Sequence, residues 1–435
     1  MRDRFLVLLG FLVFLLAARP VLAVVGAGVF ELDGDSNDNS AVPGVDFDQV
    51  YLGTSGALVS RFVTDPDANP AVDDSTTFGQ GDKDTDPAKD WNCNVDSNVT
   101  PKDNILHAYA ALYSVDGALQ LFFGADREVS TGDANIGMWF FQNPIGCVPA
   151  DLGGTGSFTG HKTQGDLFIV SEFTTGGTVS TVKVFKWTDP TPSNPENGDE
   201  CLGDGVDCTA AHEGVPAITG ADCQTGANTE VVCATVNGAP FTPAWWATPL
   251  DTNTYYEGGV NLSQMLGSVG CFSQFMLQTR TSATPGLGST IKDYVLGDLN
   301  TCGMIQGDKF EDLDADGQSW ETGEPKLQGW TINLYNASNN NLVDTKVTDA
   351  SGHYKFENVR AGNYKICEVN PNSAIWTQSF PATALSPCPA NAPNGYTLGV
   401  TPGSNITGND LGNFRKGEIS GSKFIDLDGD GVFDT

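Results

Sequence analysis

The stretches Thr331-Ile332-Asn333-Leu334-Tyr335 and Tyr364-Lys365-Ile366-Cys367-Glu368-Val369 alternate apolar and polar side chains with a period near two. Successive residues of a strand point to opposite faces of a sheet, so this pattern lays down one apolar face per strand. The same period runs through Leu342–Val347, Tyr354-Lys355-Phe356 and Tyr396–Val400. Asp349-Ala350-Ser351-Gly352 and Ala361-Gly362-Asn363 read as hairpin turns between these strands. About seven strands in roughly 110 residues is the size of an Ig-like sandwich. Residues 304–417 are therefore predicted to form one β-sandwich unit.

The chain before this unit has the same character. Ile105–Tyr113, Leu119–Phe123, Gly137–Gln142, Asp166–Phe173 and Thr178–Trp187 are rich in β-branched and aromatic residues, with turn residues between them. Leu167-Phe168-Ile169-Val170 is apolar throughout, which places it in the middle of a sheet. The fold class is all-β. Residues 24–303 form an N-terminal β-sandwich, for which a jelly roll is one arrangement. Residues 188–245 hold a Pro/Asn-rich stretch and then four cysteines, and read as a disulfide-stapled insertion. Leu262–Leu266 and Cys271–Thr279 are candidate short helices. Ile291–Leu296 fits a strand or a helix equally well.

The ends bound the setting. Met1-Arg2-Asp3-Arg4, an apolar run from Phe5 to Ala18 and then Val21-Leu22-Ala23 have the layout of a secretory signal cut after Ala23. Residues 1–23 are thus a signal peptide, and the remaining chain is expected to be secreted, with no membrane span of its own. Ten cysteines follow, an even number that favours disulfides in an exported chain. Connectivity is not fixed by sequence; Cys93–Cys147, Cys201–Cys208, Cys223–Cys233, Cys271–Cys302 and Cys367–Cys388 is one plausible set.

Among 435 residues, 54 are Asp or Glu and 22 are Lys or Arg, a formal charge of −32. Nucleic-acid binding needs a positive footprint that this chain lacks. Clustered carboxylates repel one another unless a cation sits among them, so the charge points to cation binding.

One motif concentrates that chemistry. Asp312-Leu313-Asp314-Ala315-Asp316-Gly317-Gln318 places carboxylates at loop positions 1, 3 and 5, a glycine at 6 and a carbonyl donor at 7. Glu321 and Glu324 follow closely enough to close a coordination sphere. Hard oxygen ligands in this number suit calcium. The loop departs from an EF-hand, because position 12 is Gly323 and Glu324 stands at 13. It recurs as Asp426-Leu427-Asp428-Gly429-Asp430-Gly431-Val432-Phe433-Asp434, inside a longer repeat that pairs Ile305–Gly317 with Ile419–Gly431. A second unit is thus expected to begin near Glu418 and to be cut off at Thr435. Tandem modules suit a stalk or spacer.

Residues 304–417 resemble the SdrD B-like repeats of bacterial surface adhesins, relatives of the collagen-adhesin B-type, prealbumin-like modules. Gly307–Gly317, Gly323–Ile332, Thr348–Phe356, Gly362–Glu368 and Gly408–Phe414 carry the resemblance. It implies calcium-rigidified β-sandwich repeats that project a binding domain from a cell surface toward an extracellular protein or glycan. Residues 24–303 resemble a region that precedes such repeats in exported bacterial proteins, on Leu106–Ala110, Phe123–Arg127, Ile136–Gln142, Gly165–Ser171, Gly176–Thr181 and Lys292–Gly297. Some modules of the wider collagen-adhesin B class form a Lys–Asn isopeptide bond beside a buried acid. By that resemblance Lys309, Asn413 and Glu368 would take those parts. The plainer expectation is a solvated Lys near the acidic loop and a Glu at a strand end.

Other constellations are weaker. Asp126-Arg127, Asp133 and Asn135 ahead of Trp139 could form a sugar or metal site, which makes a carbohydrate-binding module the alternative function; the plainer reading is a buried Asp–Arg pair and a packed strand. Asp82, Asp84 and Asp86 alternate without a glycine turn and read as a solvated loop. Nucleophile elbow, HExxH and P-loop motifs are absent from the sequence. No catalytic residue is assigned, and a hydrolase is the least favoured reading.

Overall fold

The computed structural model describes residues 28–432, apart from 39–43, 67–73, 80, 95–98, 117, 132–133, 149–154, 175–177, 189–200, 204–217, 225–229, 267–270, 282–286, 382–387, 390–393 and 427. The proposed signal peptide, Cys208, Asp133 and Asp434 lie outside the described residues.

Among the described residues up to Asp298, sixteen strands build one continuous sheet that folds back on itself. One limb runs Val59–Thr64, Ile105–Val115, Ala118–Arg127, Tyr255–Asn261 and Val232–Val236 in sheet order. Ile218–Asp222 joins it, in parallel, to a second limb of Thr178–Thr188, Leu167–Thr174, Ala134–Phe141, Gln274–Thr281 and Ile291–Asp298. The limbs face each other across a core in which Ala108, Leu121 and Phe123 meet Met138, Phe140, Ile169, Phe275 and Val295.

The outer faces are also covered. On the first limb Tyr109, Tyr113 and Phe122 lie under Phe30, Phe47 and Val50 of the N-terminal segment. On the second, Trp139, Phe168 and Trp187 lie under Phe78, Trp91 and Phe158. Both faces of these strands are therefore dry, and so their sequences are near-continuous apolar runs rather than alternating ones. Each such Phe or Leu contributes about 1.5–3 kcal/mol by leaving water.

Three expectations for the first body need correction. Cys271–Thr279 is not a helix, because the strand Gln274–Thr281 occupies most of it. Asp84 is not solvated. Its carboxylate accepts hydrogen bonds from Trp139 Nε1 (2.9 Å) and Gln278 Nε2 and pairs with Arg280 Nε at 2.7 Å, all of it buried. Asp126 and Arg127 do not pair with each other. Asp126 binds His107 Nδ1 (2.8 Å) and Trp245 Nε1 (3.1 Å), while Arg127 donates to the carbonyls of Lys102 and Asn253. Leu262–Leu266 is a helix and Ile291–Asp298 a strand. Four disulfides are present among the described residues: Cys93–Cys147, Cys223–Cys233, Cys271–Cys302 and Cys367–Cys388. Among the described residues no helix is long and apolar enough to cross a membrane.

From Gly303 the chain builds two smaller sheets. One orders His353–Val359, Gly303–Glu311, Leu411–Arg415 and Trp376–Phe380, with Asn405–Ile406 beside Gly303–Glu311. The other orders Leu342–Val347, Thr331–Asn336, Gly362–Val369 and Gly395–Val400. Ile305, Phe356 and Leu411 of the first pack on Ile332, Leu334 and Ile366 of the second. The turns at 349–352 and 361–363 are not hairpins, because each carries the chain from one sheet to the other. An apolar face of period two is satisfied by a partner in the same sheet or across the core, and here the cross-core partner wins.

The buried Asp84–Arg280 pair yields a test of the first body. Asp84→Ala removes the carboxylate paired with a buried guanidinium and should destabilise the chain by about 3–5 kcal/mol in urea unfolding. A loss under about 1 kcal/mol, the range of exposed pairs, would mean that the pair is not buried in solution.

Candidate functional site

The first and last strands of the second body lie side by side and parallel, with Lys309 opposite Leu411 and Glu311 opposite Asn413. The acidic loop leaves from the end of this ladder, where the Asp312 N–H donates to the Asn413 carbonyl (2.9 Å). Ala315, Gly317 and Gly323 take positive φ values of 61°, 72° and 108°, which curl the loop over itself.

The curl gathers its side chains. Asp312 is buried and accepts from the Gly317 N–H at 3.1 Å. Asp314 accepts from the Asp316 N–H at 3.3 Å, and Asp316 from the Gln318 N–H at 2.9 Å and side-chain amide at 2.8 Å. One carboxylate oxygen from each of Asp312, Asp314 and Asp316 lies within 4.8 Å of the other two. Glu324 folds back, accepting from the N–H groups of Leu313 (3.2 Å) and Glu321 (2.9 Å). The Glu321 side chain stays exposed. Its pKa is pushed up chiefly by the charge of Asp316, then by desolvation and by Asp314, Glu324 and Asp312. Asp312 shifts down: burial raises it, but the nearby Ser379 hydroxyl and the N–H groups of Gly317 and Ala315 outweigh that. The donor set is all oxygen and strongly anionic, which fits calcium.

The second copy curls alike. Asp426 accepts from the Gly431 N–H (2.8 Å), Asp428 from the Asp430 N–H (3.3 Å) and Asp430 from the Val432 N–H (2.8 Å). Its three aspartates are also gathered within 4.8 Å. Each of these bonds has a counterpart 114 residues earlier.

Beside the first loop sits a group whose burial the sequence did not reveal. Lys309 is fully buried, not solvated, and its Nζ lies 4.3 Å from the Trp330 ring. It donates to Asn413 Oδ1 at 2.7 Å and to the carbonyls of Leu411 (3.0 Å) and Phe310 (3.3 Å). Asn413 Nδ2 donates to Glu368 Oε1 at 2.8 Å, and Glu368 Oε2 lies 3.5 Å from Lys309 Nζ. Burial pulls the Lys309 pKa down to about 8 against the attraction of Glu368. Burial also raises Glu368, against the pull of Lys309 and the Asn413 hydrogen bond. Both shifts favour the neutral amine and the neutral acid.

Residues 290–385 match the family described as the SdrD B-like domain. This part of the chain is similar to SdrD B-like domains. The matched residues begin one residue before the last strand of the first body, Ile291–Asp298, and stop short of Leu411–Arg415, which belongs to the same sheet as Gly303–Glu311. No curated protein matches the chain. Among solved structures, the shaft pilin spaA from Lactobacillus rhamnosus GG is 18% identical over 27% of this chain and 51% of the pilin, about half its length, with a TM-score of 0.19. The group B streptococcus pilus 2b backbone protein is 12% identical over 70% of this chain and 97% of that one, with a TM-score of 0.25. The Bacillus cereus major pilin subunit BcpA is 11% identical over 72% and 66%, with a TM-score of 0.21.

The carbohydrate alternative loses its geometry. Asp126 and Trp139 are both buried, and they belong to opposite outer faces of the first body. Trp139 presents no open face to a sugar.

The acidic loop carries one strained position. Ala315 sits at φ 61°, where its counterpart in the second copy is Gly429 at φ 80°. Ala315→Gly should relieve about 1–2 kcal/mol of left-handed strain against about 0.5–1 kcal/mol of added chain entropy. Urea unfolding in chelator should therefore show a gain; a loss would mean that the loop adopts another conformation in solution.

Proposed function

We propose that this chain is a secreted cell-surface protein of structural or adhesive role, in which SdrD B-like repeats act as a stiff spacer for the N-terminal β body. The observation that carries this reading is the repeated acidic loop, folded alike in two copies and rooted, in the first, on the ladder that joins the domain's opening and closing strands. Calcium would be held by Asp312, Asp314 and Asp316 with Glu324 and the Gln318 carbonyl, and Glu321 in reach. The second copy offers Asp426, Asp428, Asp430 and the Val432 carbonyl. The ion supplies charge neutralisation, and binding to the folded loop alone stabilises the fold by linkage. The partner presented by the first body is an extracellular protein or glycan.

Thermal unfolding of residues 304–417 tests this reading. Calcium at about 100-fold above its Kd should add about 2.7 kcal/mol to the wild type and nothing to Asp314→Ala/Asp316→Ala. Equal melting with and without calcium would remove the ion from the spacer.

The buried Lys309 group adds a covalent lock to the same reading. The neutral Lys309 amine attacks Asn413 Cγ, a C–N bond forms, and the bond to Nδ2 breaks. Glu368 gives a proton to the departing nitrogen and recovers one from the Lys309 amine, so ammonia leaves and the acid is regenerated. Intact mass of the purified chain should be short by one ammonia beyond the loss due to its disulfides. Glu368→Ala and Asn413→Ala should each run at the full mass calculated for the variant with its disulfides. A wild type of full mass would exclude the bond.

A further inference from the structure

The N-terminal body contains its own group of inward-facing carboxylates, remote in sequence from the acidic loops. The isolated bridge between Phe30 and Val45 brings Asp33 and Asp35 beside Asp46, and one carboxylate oxygen of each lies within 4.8 Å of the others. Glu257, from the strand Tyr255–Asn261, reaches the same place and accepts from the Gly34 N–H at 2.7 Å. Asp46 and Glu257 are fully buried. Asp46 Oδ1 is satisfied by the Phe47 N–H at 2.6 Å, whereas its Oδ2, equally buried, receives no hydrogen bond. Burial, then Glu257, Asp33 and Asp35, raise the Asp46 pKa well above the ordinary range. Burial, with Asp33 and Asp35, does the same to Glu257.

A buried carboxylate oxygen with no donor, facing further carboxylates, is costly unless a proton or a cation answers it. Four carboxylates from three chain segments give an all-oxygen, highly anionic donor set, and hard divalent ions of the calcium type take six to eight such oxygens. We propose that Asp33, Asp35, Asp46 and Glu257 bind a divalent cation that ties the N-terminal segment to the sandwich.

A second group carries the same inference independently. Asp65, Asp74 and Asp293 are each more than nine-tenths buried, with oxygens within 4.8 Å of one another. Asp293 Oδ2 accepts from the Ile105 N–H at 2.7 Å, while its buried Oδ1 receives no hydrogen bond. This group is a second cation site, bridging the end of Val59–Thr64 to Ile291–Asp298.

Neither site depends on the spacer reading, and the test separates them from it. The full chain is prepared with both exposed loops silenced by Asp314→Ala/Asp316→Ala and Asp428→Ala/Asp430→Ala. It is stripped with chelator and dialysed to equilibrium against calcium alone near neutral pH. Two equivalents should bind. Asp35→Asn/Asp46→Asn should remove one, and Asp293→Asn the other. A loop-silenced chain that binds no calcium overturns both sites and leaves these carboxylates as neutral acids; that arm changes no residue of either group, so a misfolded core variant cannot imitate it. Undiminished binding in Asp35→Asn/Asp46→Asn overturns the first site, and in Asp293→Asn the second. Loss of both equivalents from one variant overturns their independence.

Discussion

The parallel pairing of Gly303–Glu311 with Leu411–Arg415 is the contact on which the second body depends. Those strands are about a hundred residues apart in the chain, and closing such a loop costs entropy that local contacts do not repay. The ladder is short, with three registered pairs. What holds it is concentrated at its ends. Lys309, Asn413 and Glu368 sit on its buried side, and the acidic loop begins where Asp312 donates to Asn413. The same asparagine thus offers its side chain to the buried group and its backbone to the loop.

This arrangement suits a module stacked in series. A spacer fails when its first and last strands part, since those strands carry the chain in and out. A covalent Lys309–Asn413 link and a cation at the loop would act on that same pair by different means. The Lys309 group is buried behind Trp330 and shielded from solvent, while the loop is largely exposed and would follow the ion. In the next copy the loop curls in the same way at Asp426, so the curl is set by the local sequence: carboxylates at alternate positions accept from N–H groups a few residues on, with glycine where φ turns positive.

That locality explains what could be read in advance. The loops were legible because their carboxylates are contiguous, and the strands because period two is a local signal. Sheet membership was not, since Leu342–Val347 and His353–Val359 alternate alike whether they share a sheet or face each other. Asp84 was misread because an acidic, Lys- and Pro-bearing stretch looks solvated, and its partners Trp139 and Arg280 are far along the chain. Lys162 gave no signal at all, yet its Nζ is buried among the rings of Trp91, Trp139 and Trp187 at 4.1–4.6 Å. Glu257 and Gly34 are 223 residues apart, and no spacing rule spans that distance.

The treatment of buried acids in the first body is uneven in a way that has physical content. Asp84 meets Arg280, and Asp126 meets His107 and the Trp245 N–H. A fold of this composition can therefore place a basic side chain or a ring N–H against a buried carboxylate. At Asp46 the charged neighbours that act most strongly are Glu257, Asp33 and Asp35, and at Asp293 they are Asp74 and Asp65. Desolvation and like charge add in the same direction at both places, against backbone N–H groups of Phe47 at the one and of Ile105 and Tyr294 at the other, whereas Asp84 is ion-paired with Arg280 and Asp126 is hydrogen-bonded by His107. Carboxylates kept together at that cost are better suited to holding a cation than to holding the sandwich, whose apolar faces are already closed on both sides of each limb.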